Sequence, residues 1–118
     1  MAATLETIAI NGMEDIVLLE TVRALPKNRK TFKLTLSRSK FDMVIYSSDS
    51  DTCEAYEIKH SKENVPRQYH ALEDEELCDS VEYKFGTITK KCVIYRGPNR
   101  ILENGIEYRN VEEYLKGL

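Results

Sequence analysis

The chain has 118 residues, 42% hydrophobic and 31% charged, which suits one domain spanning 1–118 with one core and excludes a disordered tail. No apolar run approaches the ~20 residues that span a membrane. The opening "MAATLETIAI" puts no basic stretch ahead of an apolar core, so no secretory signal and a cytosolic location are expected, and a net charge of −3 argues against a generic nucleic-acid coat.

In chain order, "MEDIVLLETVRAL" (13–25) carries Ile16, Val17, Leu18, Leu19, Val22 and Leu25 at helical spacing. Asn11 or Gly12 can cap this helix, Glu14 and Asp15 suit its first turn, and Pro26 ends it. "KTFKLTLSR" (30–38) alternates Phe32, Leu34 and Leu36 with polar residues, as a half-buried strand does. "FDMVIYS" (41–47) follows after a tight connection at 38–40, and "SDSD" turns into a third strand, "TCEAYEIKH" (52–60). Three strands with short links predict an antiparallel meander.

A polar helical stretch over 63–76 has Pro66 in its first turn and a sparse apolar stripe of Val65, Tyr69 and Leu72. A second helix over 74–86 ends at Gly86, and "KKCVIYRG" (90–97) reads as a buried strand. "RILENGIEYRN" (100–110) is a hairpin turning at Asn104-Gly105, and Asn110 caps a closing helix. A strand reached through helices can return parallel to the third strand, so a mixed sheet with helices on it, an α/β (α+β) domain, is expected.

Cys53, Cys78 and Cys92 are odd in number and match no zinc or redox spacing, so they read as reduced thiols. His60 and His70 add too few ligands for a zinc site. Charge is uneven along the chain. Residues 21–41 hold Arg23, Lys27, Arg29, Lys30, Lys33, Arg38 and Lys40 and no acid. This basic segment, 23–40, can meet the phosphates of DNA, or be only a solvated helix end, turn and strand face.

A hairpin centred near residue 50 brings Asp42 opposite 57 or 58, so Asp42 and Glu57 converge at one end of the sheet. Period-two geometry sets Lys59 beside Glu57, and Glu14 can point at the same end. Carboxylates so close repel one another unless a hard cation, Mg²⁺ or Mn²⁺, sits between them. The Ile58 carbonyl is a further candidate ligand. A metal held there can polarise a phosphoryl oxygen and lower the pKa of a bound water, and Lys59 can orient that water or offset charge on the phosphorus. The alternative is a surface ion pair, since an acid and a lysine two apart on a strand are common.

Asp42 followed by Glu57-Ile58-Lys59 resembles the D…(D/E)-x-K core of the PD-(D/E)xK nuclease superfamily. Together with "GMEDIVLLET", "FDMVIY", "CEAYEIKHSKE", "KKCVIYRG" and "NVEEYLK", the chain over 11–118 resembles the C-terminal domain of a group of uncharacterised prokaryotic AAA-type ATPases. The resemblance implies a restriction-endonuclease-like α-β-β-β-α-β core. It makes Glu14, Asp42 and Glu57 metal ligands and Lys59 the catalytic lysine. Some members of the superfamily also use a glutamine on the helix after the E-x-K strand, where Gln68 stands; a glutamine on an exposed helix is otherwise simply solvated. Two positions depart from the pattern: Lys40 replaces a frequent acid, and Phe41 replaces the proline. No G-x-x-x-x-G-K-[ST] occurs, so the chain reads as an excised domain or a stand-alone remnant. The expected function is metal-dependent hydrolysis of nucleic acid. The alternative is a catalytically silent module for DNA or protein contact, serving or left over from an ATPase.

Overall fold

The computed structural model describes residues 12–36, 39–63 and 66–118. The expected first helix is α1, Met13–Ala24, preceded by Gly12; Asn11 lies outside the described residues. Its buried face is shifted from the expected stripe. Met13, Ile16, Val17 and Thr21 are buried, whereas Leu19 and Val22 are exposed. With ~3.6 residues per turn, 13, 17 and 21 lie on one side, and burial there requires the Thr21 hydroxyl to be satisfied. It donates to the Val17 carbonyl at 2.6 Å and lies 2.8 Å from the Tyr114 hydroxyl.

Strands β1 (Arg29–Leu36), β2 (Ser39–Ser47) and β3 (Thr52–Ile58) form the expected antiparallel meander. The tight link between β1 and β2 includes residues 37–38, which lie outside the described residues. The polar stretch after β3 is not one helix. A 3₁₀ turn (Pro66–Tyr69) leads into the one-turn α2 (His70–Glu73), and α3 (Glu75–Phe85) starts afresh. Asp74 causes the break: extended at φ −74° and ψ 106°, it accepts a hydrogen bond from the Leu77 amide and so caps α3. Strand β4 (Thr87–Tyr95) starts three residues before the expected 90, because its first half, Thr87-Ile88-Thr89-Lys90, offers only one apolar residue. The hairpin of β5 (Arg100–Ile101) and β6 (Glu107–Asn110) leads into α4 (Val111–Lys116), whose amides at 112 and 113 are capped by Asn110.

The six strands form one mixed sheet in the order β1-β2-β3-β4-β6-β5. Strands β3, β4 and β6 run parallel and the other pairings are antiparallel. Two cores follow, one on each face. The first, against α1 and α4, holds Met43, Ile45, Tyr56, Ile58, Cys92 and Ile94. The second, against α2 and α3, holds Val44, Cys53, Ala55, Val93, Tyr95 and Tyr108. The architecture is a mixed α/β (α+β) sheet flanked by helices, and its opening run of helix, three strands, helix and strand matches the order that the resemblance implies. Among the described residues no helix is long and apolar enough to cross a membrane.

Gly86 joins α3 to β4. It has φ +83°, and a Cβ there would stand 1.7 Å from the Asp51 carbonyl oxygen, so only glycine lets α3 close onto the β2–β3 turn. All three cysteines are buried and free. Burial pushes the Cys53 thiol up to about 11 and the Cys92 thiol up to about 12.

Candidate active site

The β2–β3 register pairs Met43 with Tyr56, so its continuation sets Asp42 opposite Glu57, as the hairpin argument expects. A feature without a sequence signal sharpens this. Phe32 pairs with Val44 but Leu34 pairs with Phe41, so Asp42 and Met43 together face Lys33 alone. This is a bulge in β2 at the motif aspartate, and bulges re-aim side chains. Its effect shows in the packing: Phe41 and Val44 share the second core although three residues apart, and Met43 lies in the first. At this point the Asp42 carboxylate accepts the Ile58 amide at 2.9 Å, taking the place of a main-chain acceptor.

Glu57 shares the parity of Cys53 and Ala55 along β3, so it projects on the second face. Asp42 is 2% exposed and Glu57 4%. The Lys59 ammonium lies 3.3 Å from Glu57 Oε2 and 3.8 Å from Asp42 Oδ2, while its side chain keeps contact with solvent. The Lys59 amide donates to the Ile94 carbonyl at 2.9 Å and holds the residue in line with β4. Glu57, Lys59 and Asp42 are therefore brought together as the sequence leads one to expect, with the Ile58 backbone between them. The Ile58 side chain points the other way, into the first core.

One cation does not balance two buried carboxylates. Burial, and then the hydrogen bond and charge of Asp42, push the Glu57 carboxyl up to about 8, against a smaller opposing pull from Lys59. Near neutral pH Glu57 therefore holds its proton. Glu57 Oε1 is buried without a hydrogen-bond partner. A carboxylate oxygen in that position suits a cation, and Mg²⁺ is commonly held by one or two carboxylates with water or substrate oxygens completing its shell. The donor set thus fits a hard divalent ion.

Glu14 does not join the pair. It sits on α1, which packs on the first face, while Glu57 projects on the second. Lys33 alternates with Phe32 and Leu34 of the second core, so it faces α1, and its ammonium meets Glu14 Oε1 at 2.7 Å. The hydrogen bond and charge of Glu14 raise the Lys33 pKa, with a smaller contribution from Asp42. Lys33 thus holds Glu14 near the sheet end where the pair sits. Among the described residues no group of three or more His, Cys, Asp or Glu side chains is placed to hold a metal.

Gln68 is not a solvated helix glutamine. It is 8% exposed, its Nε2 donates to the Glu63 carbonyl at 2.8 Å, and its Oε1 accepts from the Tyr108 hydroxyl at 2.8 Å. It fastens the segment after β3 to β6. The basic segment is partly neutralised within the chain: Arg23 pairs with Glu20, Arg29 with Glu54 and Lys33 with Glu14. Lys27 and Lys30 are exposed. A cleft of about 250 Å³ lined by Thr89, Lys90, Lys91, Asn104 and Glu107 lies toward the start of β4, away from Val93, the partner of Glu57. It is separate from the carboxylate pair.

No family model matches the chain, and neither a search of curated proteins nor one of solved structures finds a match.

Proposed function

We propose that this chain is a metal-dependent nuclease domain of the PD-(D/E)xK kind, hydrolysing the phosphodiester bonds of nucleic acid, with DNA as the preferred polymer. The observation that carries the reading is the buried Asp42–Glu57 pair with the Lys59 ammonium 3.3 and 3.8 Å away at the end of β3. Asp42 and Glu57, with the Ile58 carbonyl, are the groups assigned to hold Mg²⁺ or Mn²⁺. The ion, when bound, supplies Lewis-acid polarisation of a phosphoryl oxygen.

The remaining work falls to the chain's own residues. Asp42 is fixed by the Ile58 amide, so its position is set before substrate arrives. Glu57 would lose its proton on taking up a cation, whose charge would offset the repulsion between the two ionised carboxylates. Lys59 reaches from the carboxylates toward solvent, where it orients the attacking water and offsets negative charge developing on the phosphate. Among the described residues, Lys27 and Lys30 are exposed on the basic segment and are assigned to meet the polymer backbone. Three buried free thiols suit a reducing, cytosolic compartment.

A second reading is favoured by one observation: Glu14, the third ligand that the resemblance implies, is occupied by Lys33. On that reading the chain is a silent nuclease-fold module that contacts DNA or protein, with an AAA-type ATPase as its partner. A plasmid-nicking assay in Mg²⁺ separates the two. Nicking that falls ~100-fold in Lys59→Ala supports the nuclease; no nicking by the parent chain, or nicking unchanged in the variant, supports the silent module.

A further inference from the structure

On the first face of the sheet, opposite Glu57, a cavity of about 160 Å³ lies between α4 and the strands. Tyr56, Cys92 and Tyr114 form its walls, and Lys90 and Arg109 line it from β4 and β6. Strand register explains the convergence. Lys90, Cys92 and Ile94 alternate onto this face, and Ile94 stands beside Arg109.

Arg109 Nε is buried and has no hydrogen-bond partner. A guanidinium stays charged at any ordinary pH, so this N–H is a donor removed from water with nothing to receive it. Among the described residues no carboxylate is ion-paired with Arg109. Two acids stand on this face: Glu107, whose Oε2 lies 3.9 Å from the Lys90 ammonium in a loose, partly exposed contact, and Glu54, which is taken up by Arg29 and the Tyr56 hydroxyl. The tyrosine hydroxyls are already engaged: Tyr56 donates to Glu54, and Tyr114 is bonded to Thr21. The cavity therefore presents Arg109, with an unused buried donor, and Lys90, whose loose partner is Glu107, while Glu54 is held by Arg29 and Tyr56.

We infer that this cavity is a binding site for a phosphate-type oxyanion, either free phosphate or the terminal phosphate of a monoester. Two cations favour a dianion over a single carboxylate, and the planar guanidinium matches two oxygens of such a group at once. The sheet separates this site from Glu57, which projects on the second face, so the anion is not the group hydrolysed there. The inference stands whether or not the carboxylate pair is catalytic.

The test is a titration of the ¹⁵N-labelled chain with inorganic phosphate, following the Arg109 Nε–H resonance, with a parallel titration by a nucleoside 5′-monophosphate. Saturable movement of that resonance at millimolar phosphate is expected. Lys90→Ala, at a partly exposed position that the fold tolerates, should weaken binding roughly tenfold by removing one charge-assisted contact. Arg109→Gln, read through the Lys90 and Cys92 backbone amides because the Nε reporter is gone, should abolish it while leaving any Mg²⁺-dependent rise in melting temperature unchanged. Tighter binding of the monophosphate identifies a monoester as the ligand; equal or weaker binding identifies free phosphate. No saturable shift at millimolar phosphate, or an affinity unchanged in Lys90→Ala, overturns the inference.

Discussion

Replacing Glu57 by glutamine removes the charge that makes the site self-repelling and keeps a side chain of the same shape. Its amide can donate to Asp42 as the protonated carboxyl does. In the folded chain Glu57 titrates near 8 against an ordinary 4.5, so across that window the folded state holds a proton that the unfolded state has released. The sign follows: stability of the parent chain falls as pH rises from 4.5 toward 8, and the loss is complete above that. At full differential protonation each pH unit is worth ~1.4 kcal/mol, which sets a ceiling of about 5 kcal/mol over the window. Lys59, Lys33 and entering water relax the site, so roughly half of that is expected, about 2–3 kcal/mol. For a domain of this size that is a difference of roughly 10 °C or more in Tm. Thermal melts of both proteins in metal-free buffer, from about pH 5 to about pH 9, measure it. The two should melt together at the acidic end, and Glu57→Gln should melt well above the parent at the alkaline end. A gap that stays constant with pH would refute the shared-proton account of the pair.

Glu14→Gln should lower stability by under ~1 kcal/mol in chemical denaturation, since its partner Lys33 is half exposed, and should leave Mg²⁺ affinity within about threefold. A tenfold loss of affinity would instead make Glu14 a ligand. Gln68→Ala removes the bonds to the Glu63 carbonyl and the Tyr108 hydroxyl from a buried position; a loss of about 2–3 kcal/mol in urea unfolding is expected, against near zero for a solvated glutamine. Gly86→Ala places a Cβ against the Asp51 carbonyl, so a loss of at least ~3 kcal/mol, or failure to fold, is expected; a fall in Tm of only a degree or two would show that the junction yields.

The site was legible where it depends on periods local to the chain. The alternation of Ala55, Glu57 and Lys59 and the position of the "SDSD" turn were enough to set Asp42 opposite Glu57, because a hairpin's register follows from its turn. The bulge at Asp42–Met43 was not legible. Neither residue is a glycine or proline, and the extra residue becomes visible only when β1 is laid beside β2. The pairing of Glu14 with Lys33 depends on which face of the sheet α1 covers, a choice that residues 13–25 alone do not specify. Apolar count pointed to Leu19 and Val22 as buried, yet Thr21 goes inward because Tyr114, 93 residues later, bonds its hydroxyl. Gln68 is held by Tyr108 across 40 residues, which no local pattern reports. Arg109 likewise looks like an ordinary charged strand residue until the cavity beneath α4 is seen.

The central claim is that Asp42 and Glu57 form a site for a divalent cation, and calorimetric titration of the chain with Mg²⁺ and Mn²⁺ tests it most directly. Saturable binding at millimolar metal or below is expected near neutral pH, with release of about one proton read from the dependence of the heat on buffer. Binding should disappear in Asp42→Ala and in Glu57→Ala, while both variants remain folded by circular dichroism. Absence of binding at millimolar metal, or binding that survives both substitutions, would contradict it.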